Sequence, residues 1–188
     1  MSWNKESFKD KWKDEPTTKY WVREWQENHA RYKTEFDIIL DTLLKVEWNS
    51  LLEIGCGMGK NLVMIGKKFK KKELYGTDIN KPFLEIARIN GLNVKEQDTE
   101  SLEHEKVDIV LSYEHLQHMH PDAYAKSVNR IKEVGKYVLI YEGQKKGGGV
   151  IKSGSGGRWS HDYKKDFGGE IVFSKECENG YALLIIKL

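Results

Sequence analysis

The stretch LLEIGCGMGK, residues 51–60, runs an apolar segment into a turn with glycine at three alternate positions, Gly55, Gly57 and Gly59. Glycine has no Cβ and adopts positive φ readily, so such a turn lets the backbone close on a ligand; a purely structural strand-to-helix turn is the competing reading. SLLEIG (50–55) is short and apolar, as a parallel strand buried on both faces requires, and GKNLVMIGKKF continues as a helix. Strand, glycine turn and helix form the first half of a βαβ unit.

The same alternation extends outward. ELYGTDI (73–79) reads as a second strand, and Asn80 is placed to cap a helix through PFLEIARIN that Gly91 ends. NVKEQD (93–98), KVDIVLSY (106–113) and KYVLIYEG (136–143) supply three more strands, with Pro121 and Gly135 bracketing a helix between the last two. Upstream, Val22, Trp25, Tyr32, Phe36, Ile39 and Leu43 recur at helical spacing, so residues 1–48 are expected to form an N-terminal helical cover. Downstream, residues 143–169 hold nine glycines with little periodicity and read as a long glycine-rich loop. EIVFSKE (170–176) and YALLIIKL (181–188) then form a terminal hairpin. The expectation is one α/β domain over 1–188, its ligand-binding core at 49–142.

Composition narrows the setting. A chain of 188 residues buries a core without disulfides or metals, and its net charge of +2 is too mild to suggest a nucleic-acid partner. The basic run KKFKKKEL (67–74) falls where a helix should end and is read as a solvated face favoured by the helix dipole. No segment approaches a membrane span, and the N-terminus lacks a secretory apolar core. Cys56 and Cys177 suit a reducing compartment, so a cytoplasmic location is expected.

Spacing discriminates among nucleotide-like ligands. The dinucleotide fingerprint G-x-G-x-x-G needs glycine at position 60, where this chain has Lys60; the triphosphate motif G-x-x-x-x-G-K-[ST] is absent. A ligand with a nucleoside and an amino-acid tail but no phosphate remains. Asp78, followed by Ile79, ends the second strand where a carboxylate accepts from both ribose hydroxyls. Asp98 and Thr99, after the third strand, are placed to meet an adenine amine and edge.

LLEIGCGMG, ELYGTDI, the acid of KEQD and VDIVLSYEHLQHM stand in an order and spacing that resembles the class I S-adenosylmethionine-dependent methyltransferases, over roughly residues 35–142. The resemblance implies a Rossmann-like, mostly parallel seven-stranded sheet with a C-terminal hairpin and N-terminal helices. It also implies S-adenosylmethionine as cofactor: Gly55, Gly57 and Gly59 carry its methionine end, Asp78 its ribose and Asp98 its adenine. By the same likeness Glu53 orders the glycine loop or faces the cofactor's ammonium, while Asn61 and Lys60 approach its carboxylate or form a polar helix face. Trp21, Trp25 and Arg31 either close over the cofactor or pack in the core.

In that family the segment after the fourth strand borders the transferred methyl group. His115 is therefore the first choice for a catalytic residue, with Tyr113 sharing that role and Glu114 beside the acceptor; His118 matches a structural turn. The spacing of His115, His118 and His120 fits no usual zinc pattern, so no metal is expected. The Asn/Asp-Pro-Pro-aromatic signature of base-directed methyltransferases is absent, which favours a small-molecule acceptor. GRWSHDYKKDFGGE (157–170) is similar to a stretch of methylases associated with pseudaminic acid and related surface sugars. That likeness makes Arg158 a partner for an acceptor carboxylate and His161 an alternative base. The rival readings are a non-catalytic module that binds the same cofactor and, behind it, an NAD-dependent oxidoreductase.

Overall fold

The computed structural model describes residues 29–144, 149–151, 158–177 and 180–188, together with residues 10, 13, 19, 20 and 23. Trp21, Trp25 and the side chain of Arg31 lie outside the described residues. In chain order the elements are α1 (His29–Leu43), β1 (Ser50–Ile54), α2 (Lys60–Lys68), β2 (Glu73–Asp78), α3 (Lys81–Ile89) and β3 (Asn93–Glu96). They continue with β4 (Val107–Tyr113), α4 (Pro121–Val134), β5 (Gly135–Gly143), β6 (Gly149–Ile151), β7 (Arg158–Ser160), α5 (Tyr163–Phe167), β8 (Glu170–Glu176) and β9 (Tyr181–Lys187). Two single 3₁₀ turns, Thr99–Ser101 and Leu116–His118, follow β3 and β4.

Seven strands form one sheet in the order β3-β2-β1-β4-β5-β9-β8. The first five run parallel, and β9 and β8 close the edge antiparallel. This is the Rossmann-like architecture expected. The strand order reverses between β1 and β4, and their carboxyl ends lie side by side, which is where open α/β sheets form a ligand crevice.

Alternation along the strands builds a core on each face. Leu51, Ile109, Leu111, Leu139 and Ile185 pack with Phe36, Ile39 and Leu43 of α1 and with Leu62 and Ile65 of α2. Their sequence neighbours Leu52, Val110, Val138, Ile140 and Ile186 face Tyr124, Val128 and Ile131 of α4. Local signals hold the helices in place. Asn80 Oδ1 accepts from the Phe83 N–H at 3.0 Å, and Lys67 and Lys68 occupy the last turn of α2, at the negative end of its dipole. Lys72, at the end of the basic run, donates to the Trp48 carbonyl and lies 5.2 Å from its ring. Among the described residues no helix is long and apolar enough to cross a membrane.

The stretch 143–169 departs from the expected loop. Val150 pairs with Trp159 in the β6–β7 hairpin, and Asp162 caps α5 by accepting from the Lys165 N–H at 3.3 Å. Both elements are too short for periodicity to reveal, and their order comes from packing: Tyr163 and Phe167 are buried in the α4-side core.

Ile109 is fully buried at the centre of the sheet. Ile109→Ala is expected to lower unfolding free energy by about 2–5 kcal/mol in urea denaturation. A loss below about 1 kcal/mol would contradict the central position of β4.

Candidate cofactor and acceptor site

The crevice begins at the end of β1. Gly55, Gly57 and Gly59 all have positive φ, at 62°, 54° and 75°. At Gly55 a second constraint applies, because an added Cβ would lie 2.2 Å from His115 Nδ1. The glycine turn and the segment after β4 are therefore in direct contact, and only a residue without a side chain allows it.

Asp78, at the end of β2, fixes the same turn from the other side. Its Oδ2 accepts from the Gly57 N–H and its Oδ1 from the Asn80 N–H, both at 2.8 Å. Burial pushes its carboxyl up, while the N–H groups of Asn80, Gly57 and Ile79 oppose that shift. Each oxygen keeps a further lone pair, the arrangement two ribose hydroxyls need.

Glu53 lies beneath the turn, 1% exposed. Its Oε1 accepts from Asn61 Nδ2 at 2.5 Å, and its Oε2 has no hydrogen-bond partner. Burial raises its carboxyl to about 8, with the Asn61 hydrogen bond and the Lys60 charge opposing. An orphaned buried carboxylate oxygen beside a glycine cradle fits a cationic group of a ligand; it does not fit a pyrophosphate. Lys60 itself points its ammonium at the Tyr113 ring, 5.4 Å from the centroid.

Asp98 caps the 3₁₀ turn after β3, its Oδ1 accepting from the Glu100 N–H at 3.1 Å. The hydroxyl of the adjacent Thr99 shares a 2.9 Å hydrogen bond with His115 Nε2. Burial lowers the His115 imidazole to about 4, against the opposing charge of Asp98. His115 thus arrives neutral, with one ring nitrogen engaged and the other against Gly55.

Glu142, near the end of β5, was missed by sequence reasoning and organises this end of the sheet. Fully buried, it accepts at Oε1 from Ser112 Oγ (2.6 Å), His115 N (2.8 Å) and Leu116 N (2.9 Å), and at Oε2 from Gln117 N (3.1 Å). Burial raises its carboxyl to about 7 despite these donors. An acid in an otherwise apolar strand, YVLIYEG, was the available signal.

The remaining candidates separate. Tyr113 stacks on Tyr141 with centroids 5.0 Å apart, and Tyr141 stacks on Tyr181 at 4.9 Å. Glu114 accepts from the Tyr181 hydroxyl at 2.5 Å, and Arg158 donates to that hydroxyl at 3.3 Å. His161 does not join this group: its ring lies flat on Tyr124, centroids 3.6 Å apart, and burial lowers it to about 4. His118 lies in the 3₁₀ turn, its N–H donating to the His115 carbonyl at 2.9 Å, and His120 caps α4 through the Asp122 N–H at 3.4 Å. The three histidines thus have three different surroundings.

Residues 51–137 match the profile of a family described as a methyltransferase domain. Residues 51–137 are thus similar to methyltransferase domains. Over 70 residues the chain is 33% identical to a release factor glutamine methyltransferase of Dictyoglomus turgidum, a match spanning 36% of this chain and 25% of that protein. The chain therefore covers about a quarter of that curated relative. Among solved structures, the magnesium protoporphyrin IX methyltransferase of Synechocystis PCC 6803 with bound S-adenosylmethionine superposes at TM-score 0.75 and 14% identity, covering 100% of this chain and 99% of that one. The amino pentose methyltransferase CalS10 of Micromonospora echinaspora superposes at 0.72 and 11% identity, covering 90% and 97%. At these identities the structural matches show the fold alone.

The buried acids and histidines dictate how the free domain responds to pH. Glu53 and Glu142 release protons near 4.5 when unfolded but hold them to about 8 and 7 when folded, so their contribution is present at low pH and lost as pH rises. His115 and His161 oppose this only between about 4 and their unfolded 6.5, where the unfolded chain binds more protons. Net stability is expected to fall from pH 6.5 to 8, and Glu53→Gln should flatten the upper part of that slope in thermal unfolding. An unchanged slope in the variant would show that Glu53 does not titrate there.

Proposed function

We propose that the chain transfers a methyl group from S-adenosylmethionine to an oxygen or nitrogen of a small metabolite. The observation that carries the reading is the pairing of a positive-φ glycine turn with the orphaned Glu53 oxygen below it and the doubly anchored Asp78 beside it. The methyltransferase profile over the same residues supports it independently.

Gly55, Gly57, Gly59, Glu53 and Asn61 hold the amino-acid end, with the Glu53 carboxylate facing its ammonium. Asp78 and Ile79 hold the ribose, and Asp98 with Thr99 the adenine. The cofactor, when bound, supplies an electrophilic methyl group on a sulfonium. The protein's task is then alignment and exclusion of water. His115 serves that task as a wall of the adenosyl crevice: its Nε2 is engaged by Thr99, its ring rests on Gly55, and burial keeps it neutral. Tyr113 lines the boundary between cofactor and acceptor. His161, stacked away on Tyr124, supports the β7–α5 segment.

The acceptor is a small metabolite by this reading, since the base-directed signature is absent. CalS10 acts on an amino pentose, which gives a sugar-like acceptor a precedent on this fold. The likeness of 157–170 to surface-sugar methylases has no counterpart among the relatives described above.

Asp78→Ala removes two charge-assisted contacts to the ribose and one anchor of the turn. S-adenosylhomocysteine binding, followed by calorimetry, should weaken on the order of 100-fold. Unchanged affinity would remove Asp78 from the site. S-adenosylhomocysteine release by the wild type over a metabolite panel tests catalysis; tight binding with no release from any member would favour the non-catalytic module.

A further inference from the structure

Glu114 and Arg158, both expected beside an acceptor, are joined through a third residue. Tyr181, at the start of β9, pairs with Gly143 at the carboxyl end of β5 and so reaches the same rim as Glu114. Its hydroxyl donates to Glu114 Oε1 at 2.5 Å and accepts from Arg158 Nη1 at 3.3 Å, so its donor and one acceptor position are both used. The ring is held by stacking on Tyr141, and burial followed by the Glu114 charge raises the phenol, which keeps it a donor.

Glu114 is also the one non-glycine among the described residues with positive φ, at 52°. A left-handed backbone at a residue with a side chain is strained and persists only where surrounding contacts impose it. Here the Glu114 N–H donates to the Tyr141 carbonyl at 2.9 Å and the next N–H, of His115, donates to Glu142. The sharp turn sets the carboxylate toward Tyr181, one residue from the imidazole that packs on the glycine turn. Tyr181 separates the carboxylate from the guanidinium, so the two do not neutralise each other directly. Among the described residues Glu114 Oε2 accepts no hydrogen bond, and Tyr181 is the side-chain partner of Arg158.

We propose that Glu114, Tyr181 and Arg158 form an acceptor clamp for a small amphoteric metabolite, one carrying a carboxylate or similar anion and, a few bonds away, an amine or hydroxyl that donates to Glu114. Arg158 takes the anion in the two-pronged geometry its planar fork allows. Glu114 takes the donor, which places the acceptor's nucleophilic atom on the His115 side of the clamp. Tyr181 sets the spacing between the two charges. The proposal rests on the methyltransferase reading above and narrows its acceptor.

The test uses the full chain saturated with S-adenosylhomocysteine and follows binding by saturation-transfer NMR with two matched pairs, serine against serinamide and glucuronate against glucose. The carboxylate-bearing member of at least one pair should bind and its carboxylate-free counterpart should not. Arg158→Met should weaken that binding by about 10-fold or more, with Arg158→Lys intermediate, while S-adenosylhomocysteine affinity by calorimetry stays at the wild-type value and reports an intact fold. Equal binding of members with and without the carboxylate, no carboxylate probe bound at millimolar concentration, or wild-type binding by Arg158→Met would overturn the clamp and leave the cofactor reading standing. Failure of the wild type to bind S-adenosylhomocysteine would overturn both.

Discussion

The buried carboxylate of Glu142 is the interaction on which this end of the molecule depends. Four donors converge on it, one from the Ser112 side chain and three from consecutive backbone N–H groups at 115–117. A loop leaving a parallel strand has no ladder to satisfy those N–H groups, and leaving them orphaned in a buried place would cost a few kcal/mol. By collecting them, Glu142 fixes the path after β4, and that path delivers the His115 ring to Gly55 and its Nε2 to Thr99. Three loops from three strands are thereby held at one crevice. Gln117 extends the arrangement by accepting from the Gly143 N–H at 2.9 Å, which ties the end of β5 to the same loop.

Electrostatics then select among ligands that an α/β crevice of this kind takes. The glycine turn offers backbone to a ligand, but directly beneath it lies Glu53, and Asp78 flanks it. A diphosphate would meet the Asp78 carboxylate at close range and would oppose ionisation of Glu53, whose proton burial already holds to about 8. The ammonium of an amino-acid end favours the ionised Glu53 carboxylate instead. A neutral His115 and an acidic floor are consistent with a cofactor whose reactive centre is itself positive.

The strand alternation was legible because β1, β4 and β5 are apolar runs and the helices between strands have strong punctuation: Asn80, Gly91, Pro121 and Gly135 act where their chemistry suggests. The placement of Glu53, the glycines, Asp78 and Asp98 around one crevice was legible because each lies at or just past the carboxyl end of a strand. Glu142 and Tyr181 were not. Glu142 stands out only as an acid in an apolar strand and Tyr181 fits its strand's apolar pattern, while their contacts reach residues 23 or more positions away, which no local pattern encodes. The β6–β7 hairpin and α5 were hidden for the complementary reason, that elements of three to five residues leave no periodicity to read.

The central claim is that the crevice between the carboxyl ends of β1 and β4 binds an adenosyl amino acid. A crystal structure with S-adenosylhomocysteine tests it most directly. The account predicts the amino group at Glu53 over the glycine turn, the ribose hydroxyls on Asp78, and the adenine against Asp98 and Thr99. Density for the molecule outside this crevice, or none at saturating concentration, would contradict it.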